Sequence, residues 1–227
     1  MNPFLTIADP RPLGPGSYHM ALPLVEAVRI RPGVRVLEVG AGNGQVASIL
    51  AKHWAVTVVT LEPWLNLSVI RDNAAGLGVA NQVLPMNVTA QSMPFASETF
   101  DAVISIGSFE MIRDDRPQAL EEMMRVARSG AYVGIAEPMC HPCELTEQQL
   151  QTKIGQSFHD HFRTLDWNKE LFHQHGLSVV ENYYFSDAYQ WWYDHVHDER
   201  CPLDEREFVV KDAGKWLSLG LVVGRKP

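Results

Sequence analysis

Between residues 34 and 52 an apolar, β-branched run passes through a cluster of glycines into a helical pattern, reading Val36-Leu37-Glu38-Val39-Gly40-Ala41-Gly42-Asn43-Gly44 at the junction. Few folds accommodate a buried strand that turns sharply into a helix with three glycines in five positions. The same alternation then recurs. Residues 56–61, 82–88, 100–106 and 131–136 read as further strands, and residues 20–29, 45–52, 65–75 and 117–127 as helices with apolar residues at helical spacing. Strands alternating with helices predict a parallel sheet covered on both faces. After residue 136 the rhythm changes: helices are expected over 147–162 and 167–175, with Gly176 closing the second. Strands follow at 177–185 and 217–223, separated by an aromatic and acidic segment, 186–215, instead of an ordinary crossover helix. That pattern predicts an antiparallel last strand.

Glycines at a strand-to-helix turn let the backbone bend and approach a ligand, and leave helix N–H groups free to meet its polar atoms. Glu62, ending the second strand, is placed to accept both hydroxyls of a ribose at the carboxyl edge of the sheet. A nicotinamide dinucleotide fold would need G-x-G-x-x-G, yet Gln45 occupies the third glycine position. A pyrophosphate would also sit poorly beside Glu38. A ligand carrying an ammonium group and no phosphate fits better.

These residues resemble the class I S-adenosylmethionine (SAM)-dependent methyltransferases, over roughly residues 34–225. The resemblance implies an α/β, Rossmann-like fold: a seven-stranded, mostly parallel sheet with helices on both faces and an antiparallel last strand. It implies S-adenosyl-L-methionine as cofactor, its methionine part at Glu38, Gly40, Gly42 and Gly44 and its ribose at Glu62. It further implies an adenine border at Thr89 and Ala90, where Thr89 replaces the usual acid ahead of Met93-Pro94-Phe95, and Ser105 at the end of the fourth strand beneath the sulfonium.

The run Ser105-Ile106-Gly107-Ser108-Phe109-Glu110-Met111-Ile112 is similar to the cyclopropane-fatty-acid-synthase-like branch. Glu110 matches the branch's glutamate, whereas Met111 stands where histidine is usual and the fifth strand lacks a histidine. These departures argue against cyclopropanation and for methyl transfer to a small-molecule substrate. The Asn/Asp-Pro-Pro-Tyr/Phe run of base and glutamine N-methyltransferases is absent. Alternatives are an RNA or protein methyltransferase and a non-catalytic SAM-binding partner subunit. Candidates for the proton acceptor are Glu110, His19 and His141, and for substrate contact Tyr18, Glu110 and Trp191. One domain is expected over 1–227, with lids at 1–30 and about 140–176.

Composition narrows the partners. The net charge is −8 and the 19 basic residues are scattered, which argues against a nucleic-acid substrate. No apolar stretch is long enough to span a bilayer and no charged start precedes an apolar run. Three cysteines leave one unpaired under any disulfide scheme, which suggests a reduced, cytoplasmic setting. No metal is expected: Cys140-His141-Pro142-Cys143 and Cys201 lack the second ligand pair of a closed zinc site. His159-Asp160-His161 reads as a polar helix face. His173/His175 and His195/His197 alternate along helices and so point to different faces, most of them toward solvent.

Overall fold

The computed structural model describes residues 1–6 and 14–227. Of the Pro/Gly-rich run from Asp9 to Gly16, whose composition suggests disorder, residues 9–13 lie outside the described residues. The first half of the chain is an alternation of β1 (Arg35–Val39), α2 (Gln45–Trp54), β2 (Thr57–Leu61), α3 (Leu67–Gly76), β3 (Val83–Met86) and β4 (Phe100–Ile106), preceded by α1 (Ser17–Ala27). A 3-10 turn over Phe109–Asp115 leads into α4 (Arg116–Val126), then β5 (Ala127–Cys140). The remainder is α5 (Glu147–Leu150), α6 (Lys153–His161), α7 (Leu165–Gln174), β6 (Ser178–Tyr184), α8 (Ala188–Val196), α9 (Leu203–Asp212) and β7 (Leu217–Arg225).

The seven strands form one sheet in the order β3-β2-β1-β4-β5-β7-β6. The pairs β1–β2, β1–β4, β2–β3 and β4–β5 are parallel, and β7 lies antiparallel between β5 and β6. The seven-stranded, mostly parallel sheet and its antiparallel last strand are therefore as the sequence suggests.

Side-chain alternation explains why both faces carry helices. Val36, Val58, Ala102, Ile104 and Leu219 face a core shared with Leu24 of α1, Leu50 of α2, Ile70 of α3 and Trp192 of α8. Residues of the opposite parity, Leu37, Val59, Val103, Ile135 and Val222, face the opposite core against Leu120 and Met123 of α4 and Phe172 of α7. A strand buried on both sides must be apolar at both parities, which is why these runs are continuous rather than alternating.

Three expectations need correcting. The helix expected over 147–162 is two: the Thr146 side chain and Gln149 form a capping box for α5, and Thr152 Oγ1 accepts the Gly155 amide to start α6. The Thr152 hydroxyl donates to Gln149 O at the end of α5 while accepting the Gly155 amide at the start of α6, so the break is local chemistry. The fifth strand runs four residues further than its apolar run, to Cys140, because β7 pairs along it as far as Cys140↔Leu217. Finally, residues 186–215 hold two helices, α8 and α9, that join β6 to β7. No helix is long and apolar enough to cross a membrane among the described residues.

Candidate cofactor and substrate site

The carboxyl ends of β1, β2 and β4 open on a cavity of about 750 Å³. Its floor is the glycine loop. The amides of Gly40 and Ala41 both donate to Leu61 O, at 2.9 and 3.0 Å, which ties the loop to the end of β2. Gly40 adopts φ +76°, and a Cβ there would collide with the Ser108 side chain. That serine is fixed: Ser105 Oγ and Ser108 Oγ lie 2.7 Å apart and each is within bonding distance of Val39 O. Gly44 precedes α2 at φ +73°, where a Cβ would run into Ile70 of α3. Both glycines are required by geometry, since an L side chain would meet backbone strain and a fixed neighbour at once.

Carboxylates dominate the electrostatics. Glu62 accepts from Gly42 N at 2.8 Å on one oxygen, and from Trp64 N and Leu65 N at 2.8 and 3.1 Å on the other. Three backbone donors hold the group in one orientation at the cavity edge. Glu38, buried on β1, accepts from Thr60 Oγ1 at 2.9 Å. Burial pushes its carboxyl up to about 8, an effect only partly opposed by that hydrogen bond. Glu110, Asp115 and Glu205 also line the cavity, and among the described residues no Lys or Arg does. Such a wall favours a neutral or cationic ligand over a phosphate. Val88, Thr89, Ala90 and Gln91 form the side beyond β3, facing Trp64 and Leu65.

The other end of the cavity is aromatic. Phe158 and Phe162 of α6 stack at 4.9 Å, and Trp192 of α8 tilts against both at 5.5 and 5.9 Å. Polar groups interrupt this wall. His161 is buried, with its Nδ1 2.6 Å from Ser157 O and its Nε2 accepting from Arg113 Nε at 2.8 Å. Both ring nitrogens are thereby engaged and the ring is the neutral Nδ1–H tautomer. His195 lies 3.9 Å from Glu205, and burial lowers the proton affinity of the imidazole while raising that of the carboxyl.

Of the residues expected at the site, the cavity is lined by Tyr18, Glu38, Gly40, Gly42, Glu62, Thr89, Ala90 and Glu110. Ser105 and Gly44 sit behind the lining and shape it. His19 stacks on Trp191 at 4.7 Å, and neither lines the cavity. His141 tilts over Tyr184 at 4.5 Å and belongs, with Cys140 and Cys143, to a separate depression beside α6. Trp192, one residue from Trp191, provides the aromatic face instead, because α8 turns by about 100° per residue.

His161 and His195, expected on polar or solvent-facing surfaces, line the cavity. The signal was helical spacing: Phe158, His161 and Phe162 share one face of α6, and Trp192 and His195 one face of α8. A further buried carboxyl, Glu137, lies on the β5 face that carries Val133, Ile135 and Met139. Ending the strand at residue 136 hid it.

Residues 37–135 match the family model described as a methyltransferase domain. An uncharacterized protein of Mycobacterium tuberculosis is 41% identical over 119 residues, 52% of this chain and 42% of that one. Methyltransferase GfsG of Streptomyces halstedii is 33% identical over 127 residues, 56% of this chain and 45% of that one. The chain thus spans less than half the length of these curated relatives. Geranyl diphosphate methyltransferase, solved in complex with SAM, has the same fold: TM-score 0.79 at 14% identity, covering 92% of this chain and 85% of that one. Over residues 37–135 the chain is thus similar to the methyltransferase-domain family, on a fold shared with solved SAM-binding methyltransferases.

Proposed function

We propose that the chain is a SAM-dependent methyltransferase acting on a small molecule that is neutral or cationic. The observation that carries this reading is one cavity combining the glycine loop, the amide-held Glu62 and the buried Glu38 with an aromatic chamber and, among the described residues, no lining Lys or Arg. These residues fit the cofactor. Glu62 offers a fixed carboxylate for a ribose diol, and the loop from Gly40 to Gly42, with Glu38, offers a cradle for an amino acid with its ammonium. Thr89 and Ala90 border the adenine. When bound, SAM supplies an electrophilic methyl carbon on a sulfonium.

The rest of the work falls to this chain's residues. Tyr18, Phe158, Phe162 and Trp192 orient the acceptor and exclude water, which is how a transfer of this type is accelerated by positioning. That carboxylates line the cavity, with no Lys or Arg among the described residues, disfavours diphosphate or carboxylate acceptors. The start of α1, with α6, α8 and α9, acts as the lid, so the lid extends past the 1–30 and 140–176 segments to include Glu205.

The test is twofold. SAM binding by titration calorimetry should be strong in the wild type and weakened at least tenfold in Glu62→Ala. Methyl-labelled SAM, incubated with a cell extract split into small-molecule, protein and nucleic-acid fractions, should label the first. Label in the macromolecular fractions alone would overturn the substrate class, and no SAM binding would overturn the reading as a whole.

A further inference from the structure

Glu110 and Glu137 are both almost wholly buried, one in the turn that follows β4 and the other near the end of β5. The two carboxyls interact directly, within reach of a shared hydrogen bond. Yet among the described residues no donor meets Glu110 Oε2 or either Glu137 oxygen in good hydrogen-bond geometry, and the backbone amide of Glu110 is the one N–H acting on Glu137 from close by. Two ionised carboxylates in this position would leave three buried acceptors unsatisfied and two like charges in contact, which costs several kcal/mol. A proton on one carboxyl supplies the missing donor and removes one charge.

The surrounding groups do not supply an alternative. Arg116 of α4 is the cation with the strongest pull on the pair, but its Nη1 is itself buried without an acceptor. Its other nitrogens donate to Arg113 O and His161 O, and its guanidinium lies over Trp167. Arg163 and Asp114 act on Arg116, with opposite signs. His161 has both nitrogens engaged. Glu110 is the member of the pair that lines the cavity, and Glu137 stands behind it.

We propose that Glu110 is the base that receives the acceptor's proton, and that Glu137, which no sequence motif marks, is its positioning residue, holding one proton across the buried pair. The inference rests on the methyl-transfer reading. As the acceptor's O or N bonds to the methyl carbon, the carbon–sulfur bond breaks with its electron pair left on sulfur, and the acceptor's proton passes to Glu110. A sulfonium and a carboxylate become a thioether and a neutral acid, so the cavity ends with no separated charge. Burial raises both carboxyls above the ordinary carboxylate range, so one proton is held between them near neutral pH. Position divides the roles: Glu110 lines the cavity and meets the acceptor, and Glu137 stands behind it.

The experiment is a carbon-13 NMR titration of the full chain labelled at the glutamate carboxyls, needing neither cofactor nor acceptor. Beside Glu38, which titrates near 8 and is identified by its loss in Glu38→Gln, one carboxyl should titrate near neutrality and another should stay protonated above it, the last vanishing in Glu137→Gln. If instead Glu137 is ionised across the whole range, as it would be if paired with Arg116, the shared proton is refuted. The kinetic arm uses methyl-labelled SAM and the small-molecule fraction. Glu110→Gln should lower turnover by about 100-fold or more, the range of a lost general base, with SAM affinity within about twofold. Glu137→Leu should lower it about tenfold and move the acid limb of the pH profile up by about one pH unit, because Glu110 loses its donor. Glu137→Gln, which restores a donor, should recover most of that loss. Full turnover in Glu110→Gln, or an unmoved acid limb in Glu137→Leu, would refute the roles assigned. If Glu137→Leu does not fold, Glu137→Gln and the wild-type titration decide. Failure of SAM binding would instead remove the methyl-transfer reading, a result distinct from either.

Discussion

Replacing Glu38 by glutamine tests whether the cavity stores an electrostatic cost. The buried carboxyl keeps its proton to about pH 8, whereas in the unfolded chain it loses it near 4.5. Between those values the folded state holds a proton that the unfolded state has released, so stability falls as pH rises, and the loss levels off above pH 8. At ~1.4 kcal/mol for each pH unit of that gap, the full cost approaches roughly 5 kcal/mol above pH 8 and is about 1 kcal/mol at pH 5.5. Glutamine keeps an acceptor for Thr60 Oγ1 and cannot ionise. Its own packing and amide contributions are the same at both pH values and cancel in a comparison. Urea unfolding at pH 5.5 and 8.0 should therefore show Glu38→Gln gaining about 1–3 kcal/mol relative to wild type on going to the higher pH, after allowance for relaxation of the site. SAM affinity should fall in the same variant, because the carboxylate that would face the ammonium is gone. An effect on stability identical at the two pH values would refute the reasoning, since burial would then not be holding the proton.

Gly40→Ala should destabilise the fold by about 2–4 kcal/mol, combining left-handed strain with overpacking against Ser108. Adding Ser108→Gly should recover about 1 kcal/mol or more of it, measured as a double-mutant coupling in urea. Glu62→Ala leaves three amides without their acceptor and should raise the SAM dissociation constant by about 10–100-fold, the range for hydrogen bonds to a charged group, while thermal melting shows a folded protein. Phe158→Ala, which removes the centre of the aromatic wall, should cost about 3 kcal/mol in stability and raise the apparent KM for the acceptor with SAM affinity little changed.

The order of strands and helices through β4 is legible in the sequence because β1, β2 and β4 are buried on both faces, so apolar runs report them directly, while the edge strand β3 leaves Leu84 exposed. The glycine loop and Glu62 are legible for a related reason. The turn after a parallel strand is short, so residues that must approach a ligand lie at fixed distances from one another along the chain. Gly40 and Gly44 could be read as ligand-contacting glycines, but the structure adds that each is also required by a neighbour, Ser108 and Ile70. Sequence spacing carries no record of those partners, which come from other elements.

Beyond β5 the physics changes. The aromatic end of the cavity is built from α6, α8 and α9, brought together only by β7 folding back between β5 and β6. Trp191 and Trp192 are equivalent as sequence, and helical rotation alone sends the first toward His19 and the second into the cavity. His161 and His195 look like surface histidines until their helices dock. Glu137 reads as the polar residue that ends a strand, whereas pairing with β7 continues the strand past it and buries its carboxyl against Glu110. The sequence by itself determined the sheet, the glycine loop and its acidic partner, since these depend on residues close in sequence. Which side chains line the aromatic end of the cavity, and that two buried glutamates meet each other, was decided by the tertiary structure, because those contacts join segments that only the completed sheet makes neighbours.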